Sequence, residues 1–169
     1  TKKVLTFQSC SKTYAMTGWR IGYTAGNEKV IKAMDKLQGQ STSCPNSIAQ
    51  VAAIEALTGD QSEVAKMRDI FKKRRDYIVN RLNEMKDVHC DTPGGAFYVF
   101  PDFSSLMGSN KIIQSSNDLS MYLLEQKAVV TVAGKAFGSD GNIRFSYAAS
   151  DEDLKRAMDL VEETLTELE

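Results

Sequence analysis

The sequence of 169 residues predicts an α/β chain with two cores. Three observations lead there. Short strand-like runs alternate with longer stretches of helical period. They come as two strands and three helices, then strand, helix, strand, strand and helix. An apolar fraction of 42% beside a charged fraction of 25% is that of an ordinary folded domain, and a chain of this length buries one substantial core or two small ones.

Val4 to Phe7 is a short apolar run between polar residues, and Arg20 to Ala25 (RIGYTA) is rich in strand formers and stops at Gly26. Both read as strands, flanking the segment SCSKTYAMTGW. Asn27 is placed to cap a helix through EKVIKAMDKLQ, with Val30, Ile31, Met34 and Leu37 on one face and an end near Gly39. QSTSCPNS reads as a loop, and Asn46 or Ser47 starts the next helix, IAQVAAIEALT. That helix is apolar nearly all round, a pattern that predicts burial. A long helix follows over roughly Gln61 to Met85, with Val64, Met67, Ile70, Phe71, Ile78 and Leu82 as its stripe. Its KKRRD run is expected to be a solvated face.

Pro93 and the Gly94-Gly95 pair mark a change to strand period in AFYVF. After Pro101 a polar loop leads to a helix at Asn117 to Gln126, and Val129 to Val132 and Asn142 to Ala148 read as two more strands. Ser150 with Glu152 and Asp153 starts a closing helix whose Leu154, Met158, Val161 and Leu165 share a face. This second group of elements can stand as a small domain. The first group cannot easily do so: two strands leave sheet edges that invite further neighbours, which points to a longer parent.

Several function classes are disfavoured. A formal net charge of -1 with charges scattered along the chain gives no basic stripe for nucleic acid. No apolar run approaches membrane-spanning length, and the first residues show no signal or transit pattern, so a cytoplasmic location is expected. Cys10, Cys44 and Cys90 lack the paired spacing of a zinc or dithiol site, so no metal is expected. His89, the only histidine, has no hydrolase motif beside it and reads as a surface or half-buried structural residue. Gly22 and Gly26 are too isolated for a dinucleotide fingerprint.

The strongest chemical signal is SCSKTYAMTGWRIGY. It places Ser9, Ser11 and Lys12 at the end of one strand and Arg20 at the start of the next, so that they can converge on one anion. A phosphate wants hydroxyl donors and a guanidinium fork, which Ser9 and Arg20 supply, and Lys12 offers an amine nucleophile beside them. Trp19 and Tyr14 read as packing residues near this point.

The string SKTYAMTGWRIGY resembles the cofactor-lysine motif of the class I/II, fold type I aminotransferases, in the aspartate aminotransferase family. IKAMDKLQGQSTSCPNSIAQVAAIEAL, the RRD of the long helix, PGGAFYVFPDFS and NIRFSYA are similar to further stations of that family in the same order. The resemblance implies part of the large fold type I domain over residues 1–65, and the interdomain helix and small carboxy-terminal α/β domain over 66–169. It implies pyridoxal 5'-phosphate as cofactor, carried covalently by Lys12 with its phosphate bound by Arg20, to which the reading of the residues themselves adds the Ser9 hydroxyl. Arg144, within NIRFSYA, takes the family's role of gripping the substrate α-carboxylate. Alone, Arg144 would read as one half of an ion pair with a nearby acid.

By the same resemblance, the activity is transfer of an amino group from an amino acid to a 2-oxo acid by a homodimer, with this chain as the carboxy-terminal portion of the subunit. The family's acidic partner of the cofactor ring nitrogen falls upstream of Lys12 by more residues than precede it here, so the chain alone is expected to be inactive. A lyase or synthase on the same scaffold, or a non-catalytic binding module, are the competing readings. Gly94, Gly95 and Ala96 resemble a substrate-side turn or, equally, a strand-entry bend. Ala133, in TVAGKAFG, stands where the family commonly has a proline.

Overall fold

The computed structural model describes residues 3–109 and 111–168. Position 110, in the polar loop expected after Pro101, lies outside them. The chain divides into two compact units, Thr1–Met67 and Arg68–Glu169.

In the first unit, β1 (Thr6–Ser9) pairs antiparallel with β2 (Gly22–Ala25), in the register Thr6 to Ala25 and Ser9 to Gly22. The ladder starts two residues later than the apolar run at Val4 suggests, and Arg20 and Ile21 precede β2 instead of belonging to it. Between the strands lie a single helical turn, α1 (Cys10–Thr13), and a 3-10 turn, Thr17–Trp19, neither of which has a sequence period long enough to read. Helix α2 (Glu28–Ser41) is capped by Asn27, whose Oδ1 accepts from the Lys29 N–H at 3.0 Å. It runs through Gly39 to a left-handed Ser43. One interior glycine costs about 1 kcal/mol, too little to end a helix whose neighbours all favour it.

Helix α3 (Ser47–Thr58) begins at Asn46, whose Oδ1 accepts from the N–H groups of Ile48 and Ala49. The expectation of burial fails here. Only Ala49 and Ala53 are buried, while Ile48, Val51, Ile54 and Leu57 are exposed. A helix apolar all round needs cover on every side, and the small core of this unit, built on Cys10, Met16, Ile21, Ala49 and Ala53, covers one. The stripe of α2 is only partly covered, with Ile31 and Met34 half-buried and Leu37 73% exposed.

Helix α4 (Ser62–Glu84) carries the expected stripe, which is best buried at Ile78 and Leu82. Its charge run is only partly solvated. Lys72 and Lys73 are exposed, whereas Arg74 pairs with Asp151 at 2.7 Å and Arg75 pairs with Asp76 and donates to the Pro93 carbonyl. The aliphatic stems of these arginines cover apolar surface while their heads find partners.

In the second unit, β3 (Tyr98–Val99), β5 (Ile143–Ser146) and β4 (Val132–Ala133) form an antiparallel sheet in the order β3-β5-β4. Each strand is shorter than its apolar run, because pairing, not composition, sets where a ladder stops; Val129 to Thr131 stay outside it. Helix α5 (Ser116–Lys127) is capped by Ser115, and α6 (Asp151–Glu167) by Ser150, whose Oγ accepts from the Asp153 N–H at 3.0 Å. Leu154, Met158 and Val161 of α6 enter a core with Ile78, Leu82, Val99, Phe103, Ile143 and Tyr147. Arg81 of α4 ties to Asp159 and Glu162 of α6 at 2.8 Å each. Among the described residues no helix is long and apolar enough to cross a membrane.

Candidate active site

The closed end of the β1–β2 hairpin holds three of the residues singled out by the sequence. Cys10 N–H donates to the Ile21 carbonyl at 3.2 Å just beyond the Ser9–Gly22 pair, so residues 10–21 form a loop pinned at both ends. Gly22 permits that pinning: a Cβ there would stand 2.5 Å from the Gln8 carbonyl oxygen.

Ser9 ends β1 and caps α1, its Oγ accepting from the Ser11 N–H at 3.1 Å while its own proton remains available to an acceptor. Lys12 lies within α1 and is exposed. Arg20 adopts the left-handed region at φ 52°, and its Nη1 donates to the Thr17 carbonyl at 2.9 Å. Ala15 in the same loop sits at φ 53°. Left-handed non-glycine residues cost of order 1–3 kcal/mol each and persist only where surroundings hold them, so the pinned loop stores strain beside these groups.

Arg20 also lines an open hollow of about 530 Å³ with Ala15, Gly18, Trp19, Asn46 and Ile48. The capped amino end of α3 opens onto it and adds a positive field of the same sign as Arg20. Ser9 and Lys12 are not among the lining residues. Trp19 is thus at the hollow, and Tyr14 packs against the small core.

Arg144 belongs to the second unit, at the half-buried centre of β5 opposite Val132. Its guanidinium carbon lies over two aromatic rings, 4.4 Å from the Tyr98 ring centroid and 4.8 Å from that of Phe137. The ion pair that Arg144 alone suggests is not made: its contacts among the described residues are these two rings. Tyr98 and Phe137 were not marked by the sequence, because nothing local says that Tyr98 of β3 and Phe137 of the 3-10 turn Gly134–Phe137 meet at Arg144.

The weaker candidates find ordinary places. His89 is exposed and its Nε2 lies 3.2 Å from an Asp91 oxygen. Ala96 makes a left-handed bend at φ 64° after Gly94 and Gly95, leading into β3. Among the described residues no three His, Cys, Asp or Glu side chains gather as metal ligands would.

This α/β architecture is that of the fold type I aminotransferases, and the chain belongs to the aminotransferase class I and II family, whose model matches residues 1–161. Its relatives carry narrower names. The chain is 49% identical over 159 residues to the probable aspartate/prephenate aminotransferase of Rhizobium leguminosarum bv. phaseoli and 48% identical over 159 to the aspartate/prephenate aminotransferase of Cereibacter sphaeroides. Each match takes in 92% of this chain and 40% of the relative. Among solved structures, the aspartate aminotransferase of Rhizobium meliloti matches with a TM-score of 0.88 at 44% identity, over 94% of this chain and 41% of that one. The aromatic aminotransferase of Pyrococcus horikoshii matches at 0.87 and 37%, over 96% and 43%. The chain therefore spans about 40% of the length of the curated relatives it matches.

Proposed function

We propose that this chain is part of a pyridoxal-phosphate-dependent, aspartate aminotransferase-like enzyme that moves an amino group from an amino acid to a 2-oxo acid. The observation that carries the reading is the pinned loop 10–21 with its flanking Ser9. It brings an amine, a hydroxyl and a guanidinium with most of its donors unspent to one end of a hairpin. Hydroxyl and guanidinium suit a phosphate, and a nearby amine suits an aldehyde, so the donor set fits the cofactor.

In this reading Ser9 and Arg20 bind the phosphate and Lys12 holds the cofactor covalently. When not bonded to the cofactor, Lys12 Nζ would take the proton from the substrate α-carbon and hand it to the cofactor carbon that had carried the lysine. Arg144 receives the substrate carboxylate with its fork. When bound, pyridoxal phosphate supplies the electron sink that makes the α-proton acidic enough to move. Residues 1–65 are the remnant of the cofactor-bearing domain and 66–169 the linking helix and small domain; the compact units Thr1–Met67 and Arg68–Glu169 support that division. The whole protein is a homodimer acting in the cytoplasm.

The test is made on the longer protein. Reduction with borohydride in the presence of pyridoxal phosphate, followed by peptide mapping, should place the label on Lys12, and Lys12→Ala should abolish both the label and amino transfer from aspartate to 2-oxoglutarate. A label on another lysine overturns the site, and release of ammonia without amino transfer overturns the activity.

A further inference from the structure

We propose that Tyr98 and Phe137 are positioning residues for Arg144, clamping its guanidinium between two ring faces so that its N–H edge is presented to a carboxylate. The proposal rests on the reading of Arg144 as the carboxylate-binding residue and adds what prepares it.

A guanidinium has five N–H donors in one plane, and aromatic rings attract the cation over their faces without engaging those donors. An acidic partner would fix Arg144 equally well but would consume the donors that a substrate needs. Rings on either side restrict the plane and leave the edge free, which suits a bidentate acceptor that arrives and departs. Holding a long side chain before binding also removes the ordering cost from the binding step.

The clamp is built from elements on both sides of β5. Tyr98 stands on β3, in register with Ser146, and Phe137 on the turn that follows β4. Phe100 meets the Phe137 ring edge-on, at 5.9 Å and 90°, which fixes that ring's tilt. The turn bearing Phe137 is anchored in its own right. Fully buried Ser116 donates through Oγ to Asp140 Oδ1 at 2.6 Å and accepts from the Lys135 N–H at 3.1 Å. Gly134 opens the turn where any Cβ would collide with the Ser139 and Asn142 carbonyls. Two ring faces, an edge-on brace and a buried anchor converge on one side chain that has no other partner among the described residues.

The experiment is an NMR titration of the longer protein that contains this chain, with maleate as the dicarboxylate probe, reading the Arg144 Nε–Hε signal. Ring faces shield that proton, so Phe137→Leu and Tyr98→Leu should each move it toward the position of an exposed arginine and lower its order parameter. Each should also weaken maleate binding roughly two- to tenfold, as loss of one cation–π face implies. The ring-keeping variants Phe137→Tyr and Tyr98→Phe should retain both properties, which separates the clamp from general packing damage. Leucine variants that bind maleate as the parent does overturn the clamp while leaving Arg144 in its role. Equal binding by the parent and Arg144→Ala overturns the reading of Arg144 itself, and the clamp with it.

Discussion

Cys90 is buried against the larger core, and burial pushes its thiol up to about 11, whereas Cys44 is exposed. Thiolates, not thiols, attack disulfide reagents, so these two should differ sharply near pH 8. With Ellman's reagent the native chain is expected to titrate at Cys44, and Cys10 and Cys90 only after denaturant is added; rapid native reaction of all three would show that neither core protects its cysteine. Asp140 shifts the other way. The side-chain and backbone hydrogen bonds from Ser116 hold its carboxyl below the ordinary 3.8. A folded value below the unfolded one means that the native state binds fewer protons there. The contact therefore stabilises above the unfolded value, and that stabilisation is lost as pH falls through the depressed one. Asp102 adds to the same trend through Ser104. Tm should fall as pH drops below about 4, and less steeply in Asp140→Asn, in which the titrating group is gone. Matching slopes for variant and parent would show that Asp140 contributes nothing to acid sensitivity.

At the scale of elements, β4 and the turn after it show how a departure from a family habit can be structurally silent. Ala133 has φ -58°, within the range a proline ring imposes. Gly134 N–H donates to the Asn142 carbonyl at 2.8 Å, so the alternation of an antiparallel ladder places Ala133 opposite Ile143 in a pair without mutual hydrogen bonds. Ile143 agrees, since its N–H points the other way and donates to the Pro101 carbonyl at 3.1 Å. Ala133→Pro therefore deletes no ladder bond and should stabilise by roughly 0.4–1 kcal/mol, through a more restricted unfolded chain. By the same alternation Val132 sits in a bonded pair, and Val132→Pro should destabilise by at least about 1 kcal/mol. Urea unfolding of both variants checks the pair, and a loss of stability in Ala133→Pro would contradict the register.

The same contrast between local and paired information explains what the sequence made legible. Helix starts at Asn27, Asn46 and Ser150 were readable because a cap acts within three residues, and the face of α6 because its period runs through Leu154, Met158 and Val161. The turn of α1 was not readable: it depends on the Ser9 cap and on the Cys10–Ile21 bond across the hairpin. Lys12 and Arg20 stood out through the residue string around them, and Arg144 through its own. What surrounds Arg144 did not, since Tyr98 and Phe137 reach it from separate elements whose meeting only the sheet order decides.

For the whole molecule, the two cores differ in how much they bury. Among the described residues, the core of the second unit is made of side chains such as Tyr147, Phe103, Ile78, Leu82 and Ile143, each less than 2% exposed. The first unit closes on Cys10, Met16, Ile21 and two alanines, and leaves Phe7, Leu37, Ile48 and Val51 at 65% or more exposed. Burying a large aliphatic or aromatic side chain contributes about 1.5–3 kcal/mol, so the second core gains far more for the backbone it orders. Segments with few buried apolar groups open locally at lower free energy than those that enclose them. Native-state hydrogen exchange should then find the amides of α2 and α3 exchanging through low-energy openings, while those of β5, the buried face of α6 and the later turns of α4 approach the protection set by global unfolding. Helix α4 is the informative element because it continues from Ser62 to Glu84 across both units, with its buried residues confined to Ile78, Val79 and Leu82. Protection should rise along it from its first turns to its last. A flat profile over α4, with α2 and α3 protected as well as α6, would mean that the chain unfolds as one cooperative body and that burial in this unit pairing does not set local stability.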